Sequence, residues 1–191
     1  MKVVGIAGSL RPKSNTLEYV KTALDVFDKA GFETDLISLR DKRIEPCTGC
    51  YDCVKKAYCT IGDDDFDSIL EHMRNAEGII LGSPVYLSSV APQMMALLAR
   101  ATFVAYWNDK FFSGKVGGPI TVARRAGHNM AFSQLLLWFF INGVTVPGST
   151  YWNVGVAGAG GARDAHKDEE GMSTVIHFAD NMISVMRKIF V

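Results

Sequence analysis

The chain has no excess of charge of either sign. Lys and Arg number 20, Asp and Glu number 20, and the formal net charge at pH 7 is zero. There is no basic surplus to neutralise a phosphate backbone and no polybasic run to attract anionic lipid, so neither nucleic acid nor a membrane is an expected partner. Long apolar runs are missing too. The longest, Leu135 to Ile141, is bounded by Gln134 and Asn142, well short of the roughly 20 residues that a spanning helix needs. The N-terminus has one Lys and a very short apolar run before Gly8 and Ser9. A strand followed by a Gly turn accounts for it better than a signal peptide, and a cytoplasmic location is expected. There is no internal repeat, no low-complexity segment, no G-x-x-x-x-G-K-[ST] and no G-x-G-x-x-G. Cysteine is absent everywhere except in one segment.

What is present is an ordinary globular composition. The 191 residues are 48% hydrophobic and 21% charged, enough apolar side chain for a full core and too much for bulk disorder. One domain over residues 1–191 is the expectation for this length.

All four cysteines lie between Cys47 and Cys59, in the spacing C-x2-C-x2-C-x5-C. Disulfides suit small secreted domains, which this chain does not resemble. Structural zinc usually takes two pairs of ligands across a longer linker. A compact triplet at consecutive x2 intervals, with a fourth thiol after a slightly longer loop, is close to the runs that wrap an iron–sulfur cluster. A [4Fe–4S] cluster is therefore the favoured ligand of Cys47, Cys50, Cys53 and Cys59, within an insert spanning residues 41–64, and zinc is the competing reading.

The remainder alternates apolar runs with amphipathic stretches. Strands are expected at Val3–Ala7, Thr34–Leu39, Gly78–Gly82, Val116–Val122 and Val144–Val146. Helices are expected over Thr16–Ala30, from Asp63-Asp64-Asp65 to Asn75, from Ala91 or Pro92, over Met130–Ile141, and from about Lys167 to Phe190. Acidic residues at 63–65 suit the positive end of a helix dipole. This βα alternation implies a doubly wound α/β domain, a parallel sheet with helices on both faces and ligands at the carboxyl ends of its strands. The stretch from Gly148 to His166 is too long for a plain connector.

Three loops fall at those carboxyl ends. In the first, Ser9, Arg11, Ser14, Asn15 and Thr16 precede a helix. Their hydroxyls, amide and cation suit a phosphate at a helix N-terminus, and suit a capped turn equally well. In the second, Gly82-Ser83-Pro84-Val85-Tyr86, the tyrosine can stack on a flat ring, although a proline turn with a half-buried tyrosine is the simpler reading in isolation. In the third, Ala123-Arg124-Arg125-Ala126-Gly127, two cations face a ligand or only solvent. His128 receives no catalytic role, and His72, His166 and His177 have no ligand spacing.

Taken together, the Gly8-Ser9-Leu10-Arg11 to Ser14-Asn15-Thr16 loop resembles the phosphate loop of the flavodoxin-like, NADPH-dependent FMN reductases. Gly82-Ser83-Pro84-Val85-Tyr86 is similar to that family's isoalloxazine loop. The cysteine motif after the second strand resembles the iron–sulfur flavoprotein branch, found mainly in anaerobes. The resemblance runs through the whole chain in element order. It implies a flavodoxin-like fold with five parallel strands in the order 2-1-3-4-5, one FMN, one [4Fe–4S] cluster, and a homodimer or homotetramer. By position, Ser9, Arg11, Ser14, Asn15 and Thr16 would hold phosphate and ribityl. Pro84, Val85, Tyr86 and Leu87 would line the ring. Ala123, Arg124 and Gly127 are the corresponding third-loop positions, although that loop is poorer in glycine than is common in the family.

The expected function is electron transfer between a one-electron donor such as ferredoxin and an acceptor, through cluster and flavin, with the chemistry belonging to the cofactors. One alternative is an NAD(P)H-dependent FMN or quinone reductase, with a structural metal or none at the cysteines and Arg124 and Arg125 on the nucleotide phosphate. Another is a cluster-bearing redox sensor without turnover. Phe103, Tyr106, Trp107, Phe111, Phe112 and the run Trp138-Phe139-Phe140 are denser in aromatics than one sheet face needs, and are expected to contribute to a subunit interface rather than only to the core.

Overall fold

In the computed structural model, which describes residues 1–190, Val3, Val4, Ile6 and Ala7 are fully buried. A near-continuous apolar run does this at the centre of a parallel sheet, where alternate side chains feed opposite faces. That strand, β1 (Lys2–Ala7), lies between β2 (Glu33–Ser38) and β3 (Gly78–Tyr86), parallel to both. The end of β3 turns back as a hairpin onto the two-residue β4 (Ser89–Val90). On its other side β3 pairs with β5 (Val116–Ala123), and β5 pairs with the edge strand β6 (Val154–Val156), all parallel. The order is β2-β1-β3-β5-β6. Among the parallel strands this is the expected 2-1-3-4-5.

Helices cover both faces. On one, Val3, Ala7, Ile80 and Ile120 pack with α1 (Asn15–Lys29), and the same face takes the C-terminal helix. On the other, Val4, Ile6, Ile79 and Leu81 share a core with three helices. These follow a single-turn helix, α2 (Cys53–Lys56), and are α3 (Phe66–Asn75), α4 (Pro92–Trp107) and α5 (His128–Ile141). The C-terminal helix is α6 (Glu169–Ile189). The start of α1 rests directly on the sheet: a Cβ at Gly82 would collide with Val20 and press on Thr16.

The fifth strand differs from the sequence expectation. Val144-Thr145-Val146 makes only one bridge, Thr145 to Val116. Gly117 N–H donates to Thr145 O at 2.9 Å, and the next edge-side donor in use is Thr121 N–H, to Asn153 O at 3.0 Å. Between them, on the same side of β5, stands Pro119, which has no N–H to give. The ladder is interrupted there, Asn153 Nδ2 donates to Pro119 O at 3.1 Å instead, and pairing resumes at β6.

The aromatic cluster divides. Phe112, Trp138 and Phe139 are buried and meet edgewise, with ring centroids 5.2 and 5.1 Å apart. Trp138 Nε1 donates to Leu98 O at 3.1 Å. These three belong to the core, correcting the interface expectation for them. Tyr106, Trp107 and Phe140 are exposed.

Candidate cofactor sites

The cysteine segment hangs on the outer side of α4. Cys47, Cys50, Cys53 and Cys59 line one small cavity, together with Thr60, Arg100 and Phe103. All four are free thiols, with Cys53 buried and Cys50 exposed. Among the described residues, no three His, Cys, Asp or Glu side chains converge on a single-ion site; the sulfurs are distributed around the cavity.

Each part of the segment aims donors at sulfur. Gly49 N–H donates to Cys47 Sγ at 3.4 Å. The Asp52 amide, with help from the Thr60 and Thr48 hydroxyls, outweighs desolvation and holds the Cys50 thiol below its ordinary pKa. Burial pushes the Cys53 thiol up, and the charges of the other three sulfurs add to it. Arg100 Nε donates to Cys59 Sγ at 3.3 Å. Four sulfurs around one cavity, supplied with N–H, hydroxyl and cationic donors, are a donor set that fits an iron–sulfur group.

Arg100 carries the only charge in the 16 residues of α4, and its side chain is fully buried against an Asp64 side chain that is 2% exposed. Nη1 pairs with Asp64 Oδ2 and donates to Glu45 O at 3.2 Å. Nη2 donates to Ile61 O at 2.7 Å. The guanidinium lies 3.9 Å from the Phe66 ring centroid. One side chain thus ties residues 45, 59, 61 and 64 to α4. Asp64 also accepts from the Glu45 and Phe66 amides at 2.8 and 3.2 Å. Burial pushes its carboxyl up, but the guanidinium and the two amides outweigh it and hold the pKa below the usual value.

Sequence reasoning missed Arg100. It read 63–65 as the start of a helix, and Asp65 is the N-cap residue of α3, which begins at Phe66. Asp64 clamps Arg100, while Asp65 holds Lys42 Nζ and Arg43 N–H at 2.8 and 2.9 Å. The signal for Arg100 was available: a lone charge in an otherwise uncharged amphipathic-to-apolar helix must find a buried partner.

The three loops form a second, continuous rim at the carboxyl ends of β1, β3 and β5. Gly8 N–H donates to Gly82 O at 2.7 Å, joining the first to the second. In the second, Leu87 and Ser88 both have positive φ, 51° and 63°, the geometry of a two-residue hairpin turn. Gln134 Oε1 anchors this hairpin by accepting from Val90 N–H and the Ser89 hydroxyl at 3.1 and 3.2 Å. Gly127, with φ 89°, joins the third loop to the second: a Cβ there would stand 2.9 Å from Ser88 Oγ and 3.0 Å from Val85 Cγ1. Ala157 N–H donates to Ala123 O at 2.9 Å and brings in the chain after β6.

Within this rim the anticipated residues divide by what they present. Arg11, Arg124 and Arg125 are exposed, as are Tyr86 and Leu87 at the hairpin tip. Pro84 and Val85 are half-buried beneath the tip, and Ala123 is buried. Ser9, Ser14, Asn15 and Thr16 are buried. Ser14 Oγ caps α1 by accepting from Leu17 N–H at 3.1 Å. Asn15 is committed to the chain after β6: Oδ1 accepts from the Asp164 and Ala165 amides at 3.0 and 3.1 Å, and Nδ2 donates to Ala162 O and Asp164 Oδ1 at 3.1 Å each. Arg11 reaches the same segment, Nη2 donating to Gly161 O at 2.5 Å, so the first loop offers a ligand the exposed remainder of that guanidinium and the Asn15 and Thr16 amides that open α1. That fits a phosphate.

The 155–168 segment closes the rim. Asp168 Oδ2 accepts from the Tyr19 hydroxyl at 2.5 Å and from Val156 N–H at 2.7 Å, while Oδ1 caps α6 through Gly171 N–H at 3.0 Å. Burial raises the Tyr19 hydroxyl far above its ordinary pKa, and the Asp168 carboxylate adds to this. His128 Nε2 lies 3.0 Å from Gly155 O, a structural contact.

A family model described as NADPH-dependent FMN reductase matches residues 1–159. An iron–sulfur flavoprotein of Methanocaldococcus jannaschii is 37% identical over 196 residues, covering 99% of both chains. The chain belongs to the NADPH-dependent FMN reductase family, in its iron–sulfur flavoprotein branch. An iron–sulfur flavoprotein of Methanosarcina thermophila is 33% identical, covering 99% of this chain and 97% of the relative. Among solved structures, RosB superposes with a TM-score of 0.70 at 20% identity, over 98% of this chain and 81% of that one. A WrbA-like protein from Agrobacterium tumefaciens gives 0.67 at 14% identity over 98% of each. These two share the flavodoxin-like fold.

Proposed function

We propose that this family member is an electron-transfer flavoprotein that carries FMN and a [4Fe–4S] cluster and exchanges electrons with a small one-electron carrier such as ferredoxin. The observation that carries this reading is the cavity onto which all four cysteines open, with N–H donors directed at the Cys47 and Cys59 sulfurs. A cluster passes single electrons and FMN takes one or two, so the pair connects one-electron and two-electron partners.

The chain's own part is to hold and orient. Cys47, Cys50, Cys53 and Cys59 would be the cluster ligands, in the insert spanning 41–64 of a single domain over 1–191. The Ser9–Thr16 loop would take phosphate and ribityl through Arg11 and the first amides of α1, with Ser14 and Asn15 fixing the loop rather than touching the ligand. Pro84, Val85, Tyr86 and Leu87, with Ala123, Arg124 and Gly127, would border the ring. No helix among the described residues is long and apolar enough to cross a membrane. The exposed Tyr106, Trp107 and Phe140, with Leu137, favour a homodimer or homotetramer that covers them.

The decisive variant is Cys50→Ala. It is expected to lose bound iron, and with it flavin reduction by reduced ferredoxin. Retention of both would overturn the assignment. A second reading, direct hydride delivery from NAD(P)H, is favoured by the open cleft where Arg124, Arg125 and Lys167 stand over β6. Rapid flavin bleaching by NADPH alone, undiminished in the iron-free protein, would select it.

A further inference from the structure

We propose that Arg100 is the positioning residue of the cluster site, setting both the retention and the reduction potential of the cluster through its hydrogen bond to Cys59. The inference rests on the cluster reading above and adds to it a residue that is not a ligand.

The geometry singles out one sulfur. Among the four thiols, Cys47 receives a backbone N–H and Cys50 has the Thr60 hydroxyl 4.0 Å from its sulfur. Only Cys59 receives a guanidinium, at 3.3 Å from Nε. That donor cannot swing away. Nη1 and Nη2 are held by Asp64, Glu45 O and Ile61 O, and the plane rests on Phe66. A guanidinium is permanently charged and planar, so fixing its two terminal nitrogens fixes the direction of the third N–H.

Two consequences follow from the burial of this group. Adding an electron makes a cluster more negative, and a fixed N–H at a ligand sulfur favours that state, so Arg100 raises the potential. The Asp64 carboxylate cancels much of the net charge at longer range, leaving the short N–H to sulfur contact as the main influence. The fourth ligand is also the one farthest along the motif from its neighbour. Its loop is anchored from inside by Arg100, on both sides of Cys59, at Glu45 and at Ile61 and Asp64. Loosening that anchor should free Cys59 first.

The test uses anaerobically purified holoprotein and two variants. Arg100→Lys keeps the charge beside Asp64 but cannot form the fork. Arg100→Gln removes the charge. Both are expected to show a lower cluster midpoint potential in redox titration, with flavin potentials unchanged, and a several-fold faster loss of iron to a chelator, Gln more than Lys. A wild-type measurement covers the case in which a variant does not fold: protein labelled with 15N-arginine is expected to show 15N hyperfine coupling in the reduced cluster's paramagnetic resonance. Unchanged potential and iron loss in folded variants, or no 15N coupling in the wild type, would overturn the role of Arg100. Wild-type protein that takes up no iron and sulfide at all would overturn the cluster reading itself.

Discussion

The two candidate sites of this chain are built in opposite ways. The rim at the carboxyl ends of β1, β3 and β5 is closed by the chain's own hydrogen bonds: Asn15 to the 162–165 turn, Asp168 to Tyr19 and Val156, Gln134 to the hairpin. The cysteine segment has no strand and only one helical turn between β2 and α3; its charged link to the body is Arg100 with Asp64, beside lighter contacts from Asn108 to Cys53 O, Tyr51 to Phe103, and the buried Ile44 and Cys53. The first site is stapled from many directions. In the second, one buried ion pair is the main polar anchor, and the sulfurs are left to face a cavity. Removing one partner of a buried pair is especially costly, because the survivor is left charged and unsolvated.

The sharpest way to break this contrast is Asp64→Asn. It leaves the Arg100 cation buried without a counter-charge and should cost about 3–5 kcal/mol of apo-protein stability in urea unfolding. The loss has a pH signature. The native Asp64 pKa lies below the ordinary aspartate value of about 3.9, so its contribution is complete above that value. It disappears as pH falls through the lower native pKa. The gap between wild type and Asp64→Asn should therefore narrow only in acid; a gap that is constant down to pH 2 would mean that the carboxylate charge is not what holds the segment.

The same contrast explains what the sequence disclosed. β1 and α1 were legible because two-faced burial at Val3–Ala7 and the helical spacing of Leu17, Val20, Leu24 and Phe27 are local patterns. The four cysteines were legible because their spacing is itself the signal. The interruption of the edge strand was not, since Val144-Thr145-Val146 is a good strand by composition. What stops it is Pro119, more than twenty residues away in sequence, on the facing strand. Arg100 was overlooked for a related reason: its partners at 45, 59, 61 and 64 are remote in sequence, and only the lone charge in α4 hints at them.

A smaller effect is expected at the rim from Gly127→Ala. The residue would be held at φ 89° with its new methyl against Ser88 and Val85, a strain of about 1–3 kcal/mol. The third loop should separate from the hairpin, and flavin affinity by fluorescence titration should fall while iron content stays at the wild-type level. Loss of iron in this variant would show that the two sites are not independent. The least expected change comes from Ser14→Ala, which removes the cap of α1 at a cost of about 1 kcal/mol, visible as a small drop in thermal midpoint. A large, selective loss of flavin affinity there would instead place the Ser14 hydroxyl on the ligand.

The central claim, that one chain holds both a flavin and a cluster, is tested most directly by the visible absorption spectrum of protein purified without air, recorded before and after dithionite. Flavin bands over a broad brown shoulder, both bleaching on reduction, are the predicted result. Flavin bands alone, with no shoulder and no iron in the same sample, would contradict it.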